Sequence, residues 1–264
     1  MNKTGEEPIL SLPERHNRIL ALLQQFGSIS VAQLAERFKV SEVTIRKDLS
    51  YLEQQKKLYR THGSAILISP YISDRHVNEK EKRNVAEKRA IGAFAASLIA
   101  QDDSIIIASG TTVTFLAREI NPAGHLTAIT ASVPVTQILS QCPDVDVIQL
   151  GGITRSSSVS VVGPFAEQML RSFNCSKLFI GVDGIDTEFG LTTTNMLEAS
   201  LNGAMIDAAQ KVIVLADSSK FGRRGFSKIC DLESVDRIIT DSGVQSVYLD
   251  RLCERGIEVT VVDV

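Results

Sequence analysis

The chain has 264 residues, 44% of them hydrophobic and 22% charged, which is ordinary globular composition for one large domain or a small one joined to a medium one. Its four cysteines, Cys142, Cys175, Cys230 and Cys253, show no C-x-x-C spacing and no nearby histidine pair. That argues against a zinc or disulfide framework and for reduced thiols, and no metal or cofactor is expected. No apolar run approaches a membrane span and residues 1–13 lack a signal-peptide core, so the expected location is the cytoplasm, without membrane contact. Charge is distributed unevenly. Residues 14–68 hold nine Lys/Arg against five acids, while the whole chain is at −3. A basic segment joined to an acidic remainder is the pattern of a nucleic-acid-binding part attached to something else.

Ser11 and Glu14 have capping-box spacing ahead of a helix whose Ile19, Leu22, Leu23 and Phe26 share one face, with Gly27 ending it. A second short helix carries Val31, Leu34, Ala35 and Phe38 at i, i+3, i+4 and i+7, capped by Ser30 with Gln33 as its box partner. Lys39 and Val40 make a break. Ser41 then caps a third helix with Ile45, Leu49 and Leu52 on its inward stripe and Thr44, Arg46 and Lys47 on the opposite face. Glu42 and Asp48 suit the positive end of that helix. The run KLYRTHGSAILI alternates and turns at His62-Gly63-Ser64, as a β-hairpin does, with Arg60 and His62 near its tip. Three helices and a hairpin in this order describe a winged helix-turn-helix over residues 11–68. Ser41, Thr44, Arg46, Lys47, Arg60 and His62 are its candidate contacts to double-stranded DNA. An ordinary helical hairpin with a solvated charged face is the plainer alternative.

Residues 69–84 are polar, contain a proline and show no apolar periodicity; they are expected to form a linker. From residue 85 to 264 apolar strands alternate with helical stretches. The strands are expected at Ser104–Ala108, Thr127–Thr130, Val145–Leu150, Leu178–Val182, Val212–Ala216, Arg237–Thr240 and Glu258–Val262. This is the pattern of an α/β domain with a parallel sheet covered on both faces, and in such sheets ligands bind beyond the carboxyl ends of the strands. The polar and glycine-rich residues gather there. Ser109, Gly110, Thr111 and Thr112 follow the first strand and lead into a helix, an arrangement suited to a phosphate or carboxylate. Gly151 and Gly152 follow the third, Asp183 and Asp186 the fourth, and Lys220 the fifth, with Glu198 at the start of an intervening helix. Together they suit a phosphorylated sugar or polyol, with the backbone and Lys220 on the phosphate and the carboxylates on hydroxyls. Taken singly, the S-G-T-T turn is also an ordinary helix cap, Gly151-Gly152 a tight turn, the aspartates turn caps and Lys220 a solvated side chain.

The sequence resembles the DeoR-type bacterial transcriptional regulators over nearly its whole length. The resemblance is carried by T-I-R-x-D-L at Thr44–Leu49 and R-x-H-G at Arg60–Gly63, then by SGTT, LGGITR, FIGVDGID and ADSSKFGR in order. It implies a sensor domain similar to ribose-phosphate isomerase, an effector that is a phosphorylated sugar or derivative, and assembly as a dimer or larger. It also implies a regulator, most simply a repressor of a sugar-catabolism operon, rather than an enzyme with catalytic residues. Similarity in the last third leans toward members that respond to amino-sugar or sugar-alcohol phosphates. The chain departs from the family's usual pattern at Ala108, where many members have aspartate, at Ala131, where asparagine is frequent, and at Ser64, where a second glycine often stands. The competing possibility is a phosphosugar isomerase with an accessory N-terminal domain, using Glu198 as base and Lys220 as oxyanion partner.

Overall fold

The computed structural model describes residues 11–26, 28–55, 57–61, 64–67 and 76–264. The chain divides after position 70 into two units. In the first, α1 (Leu12–Phe26), α2 (Val31–Phe38) and α3 (Glu42–Gln54) surround a small sheet of β1 (Ser28–Ser30), β2 (Leu58–Thr61) and β3 (Ser64–Leu67). The helix starts are built from their own side chains. At Ser11 the amide and hydroxyl donate to Glu14 Oε2 at 3.0 and 2.6 Å. At Ser30 the box is reciprocal, since its hydroxyl accepts from the Gln33 amide at 3.1 Å and its amide donates to Gln33 Oε1 at 3.0 Å. Lys39 turns the chain between α2 and α3 in the left-handed conformation, φ 52°. The apolar stripes meet inside: Ile19, Leu22, Leu23, Leu34, Ile45, Leu49 and Leu52 are all buried together with Leu58 and Ala65. β2 and β3 pair antiparallel, Leu58 opposite Leu67 and Thr61 opposite Ser64, and β3 takes β1 on its other edge. β1 was not anticipated. Gly27 and the hairpin turn at positions 62–63 lie outside the described residues, as does the side chain of Phe26.

Asp48 departs from its expected role at a helix end. It stands beyond the first turn of α3 and points inward, where it is 3% exposed. Arg15 of α1 grips it with two bonds, Nε to Oδ2 at 2.6 Å and Nη2 to Oδ1 at 3.1 Å, and His16 Nε2 lies 3.1 Å from Oδ1. His16 also stacks on Tyr51, ring centroids 5.1 Å apart. The aspartate is therefore a clasp between the first and third helices.

In the second unit, all seven expected strands form one parallel sheet, in the order β15-β14-β12-β9-β4-β5-β6. They are β4 (Ser104–Ile107), β5 (Leu126–Thr130), β6 (Val145–Gln149), β9 (Lys177–Gly181), β12 (Val212–Leu215), β14 (Arg237–Asp241) and β15 (Glu258–Val262). Strand side chains alternate between faces, and the helices divide accordingly. Ile105, Ile107, Phe179 and Leu215 pack with α5 (Val85–Ala96), α6 (Thr111–Glu119) and α7 (Val133–Leu139). Ile106, Ala108, Ile180 and Val214 pack with α8 (Pro164–Leu170), α9 (Met196–Asp207) and α10 (Ser246–Glu254). Gly92 lets α5 lie against α6, because a Cβ there would come within 2.7 Å of the Leu116 amide nitrogen.

The sheet grows from its middle in two directions. From β4 the chain steps outward through β5 and β6, then returns to lay β9 on the other side of β4 and continues to β15. The loops after β4 and β9 thus leave from opposite sides of one crevice, the usual ligand position in open α/β sheets. Two smaller sheets were not anticipated. One is the hairpin of β7 (Ile153–Arg155) and β8 (Ser160–Val162); the other is β10 (Gly184–Asp186), β11 (Gly190–Thr193) and β13 (Ser227–Cys230).

The stretch expected as a linker ends early. From position 76 it is structured and belongs to the second unit, with a helix, α4 (Val77–Glu81). Polar composition concealed it because α4 is held by hydrogen bonds and ion pairs. The Val77 amide donates to the Ser157 carbonyl at 2.7 Å, and Glu81 pairs with Arg118 at 2.6 Å. The buried Lys88 of α5 donates to the Lys80 and Arg83 carbonyls at 2.5 and 2.6 Å, placing a cation at the C-terminal end of α4.

Two outcomes follow from these buried charges. Asp48→Ala leaves the Arg15 guanidinium buried without its partner and should cost the first unit about 3–5 kcal/mol, read as an earlier transition in denaturant unfolding. Burial, reinforced by Lys220 and opposed chiefly by Asp217, pushes Lys88 down from 10.5 to about 8. Between those values the unfolded chain binds the additional proton, so Lys88 makes stability rise with pH from about 8 to 10.5, with the slope of about one proton. Lys88→Met should remove that component of the pH dependence of unfolding.

Candidate functional site

The first unit presents the exposed face of α3. Ser41 caps the helix by accepting from the Thr44 amide at 3.2 Å, and the two hydroxyls lie 2.9 Å apart, so Thr44 is partly engaged in the cap. Arg46 and Lys47 are exposed in the second turn, Arg46 paired with Glu42 at 2.7 Å on the same face. Arg60 reaches from β2 to the Ser50 hydroxyl, while its amide donates to Glu53 Oε1 at 3.0 Å. The strand is therefore fastened to the C-terminal half of α3, and the N-terminal half is left projecting. His62 lies outside the described residues. A capped helix start carrying two exposed cations beside a fastened hairpin is the geometry that meets phosphates and base edges in a major groove.

In the second unit a cavity of about 60 Å³ opens at the crevice between β4 and β9, among Lys80, Ser109–Thr112, Asp183, Thr193, Glu198, Asn202 and Lys220. Gly110 is the N-cap of α6 at φ 132°, a conformation that favours glycine, and it brings no side chain to cap the first-turn amides. A helix start uncapped by a side chain, with Thr111 and Thr112 beside it, offers amide donors and the positive end of the helix dipole to an anion.

The carboxylates around this cavity are each paired. Lys80 Nζ lies 2.8 Å from Asp183 Oδ1. Thr193 and Thr194 hydroxyls stand 3.2 and 3.3 Å from Asp183 Oδ2. Burial works against charge on Asp183, but the ammonium groups of Lys80 and Lys220 outweigh it and hold the carboxyl below its ordinary range. Lys220 is pushed down by burial against the opposing pull of Asp183 and Asp217. Glu198 accepts from Ser109 Oγ at 3.3 Å and is paired with Arg155 Nη1 at 2.8 Å. Asp217, also held low against its burial by Lys220, receives Asn84 Nδ2 at 2.8 Å.

Of the residues singled out in the sequence, the structure brings together Ser109, Gly110, Thr111, Thr112, Asp183, Glu198 and Lys220. Gly151, Gly152 and Asp186 do not line the cavity. The two glycines start the β7–β8 hairpin, where a Cβ on Gly152 would meet the Val162 carbonyl oxygen at 2.6 Å. Asp186 is 2% exposed and committed elsewhere: Arg224 holds it at 2.8 and 2.9 Å, and the Glu188 and Phe189 amides close its turn. Sequence reasoning missed Lys80, Arg155, Ser157, Ser158, Thr193 and Asn202. Arg155 stands at the end of the LGGITR segment and could have been found there, whereas nothing marked Lys80 in its polar surroundings. Ala108 and Ala131 are both buried in the apolar core.

The sequence matches the DeoR-like helix-turn-helix domain over residues 15–71 and the DeoR C terminal sensor domain over residues 83–242. It is 37% identical to a putative aga operon transcriptional repressor of Escherichia coli O157:H7, across 98% of this chain and 97% of that one. It is 39% identical to the uncharacterized HTH-type transcriptional regulator YulB of Bacillus subtilis, across 94% and 96%. It is 36% identical to the lactose phosphotransferase system repressor of Streptococcus mutans, across 86% and 91%. Among solved structures, ribose 5 phosphate isomerase A from Neisseria gonorrhoeae aligns with a TM-score of 0.36 at 16% identity, over 51% of this chain and 52% of that one. The relatives that span the chain are named regulators and repressors, so the isomerase alternative falls away. The chain belongs to the DeoR family of helix-turn-helix transcriptional regulators.

Proposed function

We propose that the protein represses a sugar-catabolism operon, that α3 and the β2–β3 hairpin bind its operator, and that a phosphorylated sugar or sugar derivative at the β4/β9 crevice relieves repression. The observation that carries the effector assignment is the convergence of an α6 start without a side-chain cap, two lysines and two carboxylates on one cavity. The phosphate belongs with the Gly110–Thr112 amides and hydroxyls and with Lys220 and Lys80; the sugar hydroxyls belong with Asp183 and Glu198. Both carboxylates already accept from hydroxyls of the protein, Thr193 for Asp183 and Ser109 for Glu198, which is the bond a sugar would replace.

The cavity of about 60 Å³ is far below the roughly 300–1,000 Å³ of ordinary ligand pockets. In this reading a phosphosugar draws Lys80 from Asp183, and Lys80 sits on α4, the first described helix beyond the junction at position 70. An effector acts on DNA affinity only by binding two conformations unequally, and displacement of α4 supplies the second conformation. One recognition helix gives limited operator contact, so two copies reading symmetry-related half-sites form the functional unit, which works in the cytoplasm.

Arg46→Ala should weaken operator binding in a gel shift, roughly 5- to 150-fold if it reads a base, with discrimination relaxed at one position. Lys220→Met should leave operator affinity near the wild-type value yet make it insensitive to phosphorylated sugars that release the wild type. A thermal-shift screen of phosphorylated sugars and amino sugars on the whole protein identifies the effector class. Stabilisation by a neutral sugar but by no phosphorylated one would overturn the phosphate assignment.

A further inference from the structure

Val43 is the second residue of α3 and is 58% exposed. Its direction is set by the helix. Leu52 is fully inside and nine residues further on, about two and a half turns, so Val43 stands on the opposite side of α3 from the core. Arg46 and Lys47, three and four residues on, flank it on the same exposed face. The third turn is occupied by the hairpin, through Arg60 on Ser50 and Glu53. The part of the helix that projects is therefore an apolar branched side chain set between two cations. In the free protein this valine gains nothing from burial, and its β-branch is unfavourable on an exposed helix.

We infer that Val43 is a specificity-determining residue, packing against the C5-methyl group of a thymine in the major groove at a position bracketed by the Arg46 and Lys47 contacts. Of the four bases only thymine offers an apolar group on its major-groove edge, and Arg46 and Lys47 meet phosphates or guanine acceptors on either side. The inference rests on α3 being the recognition helix. It adds that each half-site contains a thymine read by its methyl group.

The test separates the two. The full-length protein is first used to select binding sites from random duplex DNA; failure to enrich any sequence would refute α3 as a reader of DNA and this inference with it. On an enriched site, each thymine is replaced in turn by deoxyuridine, which lacks only the methyl group. One position in each half-site should lose about fourfold in affinity, the value of one buried methyl group. Val43→Ala should bind the thymine duplex about fourfold more weakly per half-site, lose the thymine-over-uridine preference, and keep wild-type affinity for random DNA and an unchanged circular dichroism spectrum. Val43→Ile should retain the preference. Equal wild-type affinity for every uridine duplex, or a full thymine preference persisting in Val43→Ala, would overturn the assignment while leaving the DNA reading intact.

Discussion

The second unit is organised by one constraint: β4 and β9 are covered on both faces and must hand the chain off in opposite directions. Ile105 and Ile107 point to one helical layer, Ile106 and Ala108 to the other, and none has measurable exposure. A strand so enclosed has no polar face on which to carry chemistry. Function is displaced to its carboxyl end, where the backbone must turn and where the neighbouring loops diverge. Ser109–Thr112 and Asp183 are close because β4 and β9 are neighbours in register, Ile106 opposite Leu178. The cavity is a consequence of the strand order before it is a property of any side chain.

The charges around that cavity obey a second constraint. A buried ion without a partner is far more costly than a buried pair, so each charge that serves a ligand needs a partner when the ligand is absent. Asp183 has Lys80, Glu198 has Arg155, and Lys220 lies in the field of Asp183 and Asp217. The pairs stabilise these buried charges, and under the proposed function they engage the same groups that a phosphorylated ligand would use. Binding of an anionic ligand there would then be an exchange of partners. The first unit shows the same rule without a ligand: Asp48 is satisfied by Arg15 and His16, and nothing is left over to exchange.

Much of this was legible in the sequence, and the boundary between what was and what was not is physical. The central strands β4 and β12 were visible because burial on both faces demands unbroken apolar runs, SIII and VIVL. The helix starts were visible because a cap needs Ser at a fixed spacing from its partner. What escaped lacks such a pattern. β10, β11 and β13 are three- and four-residue strands tied by turns and bulges, too short for a period to develop. Gly151-Gly152 and Asp186 sit at strand ends, as site residues do, yet they serve turns, and sequence position alone does not separate the two uses. Lys80 escaped because α4 buries no residue and owes its place to contacts from distant parts of the chain.

That last feature bears on regulation. α4 is tethered by a carbonyl at Ser157, a carboxylate at Asp183, an arginine at Arg118 and the ammonium of Lys88. All are polar; the Arg118–Glu81 pair is exposed to water, whereas Asp183 and Lys88 are largely buried. The exposed pair is worth about a kilocalorie per mole or less, whereas the bonds to the buried charges open cheaply only if each charge is handed another partner. A segment held this way is released only by a ligand that takes over the buried partners, whereas α5 and α6, locked through Gly92, cannot separate without opening the core. Regulation of a few kilocalories per mole requires an element whose two positions differ by no more than that. Among the described elements bordering the cavity, the short polar helix α4 buries no side chain of its own, which is what such an element requires, whereas the apolar helices beside it are fixed by the core.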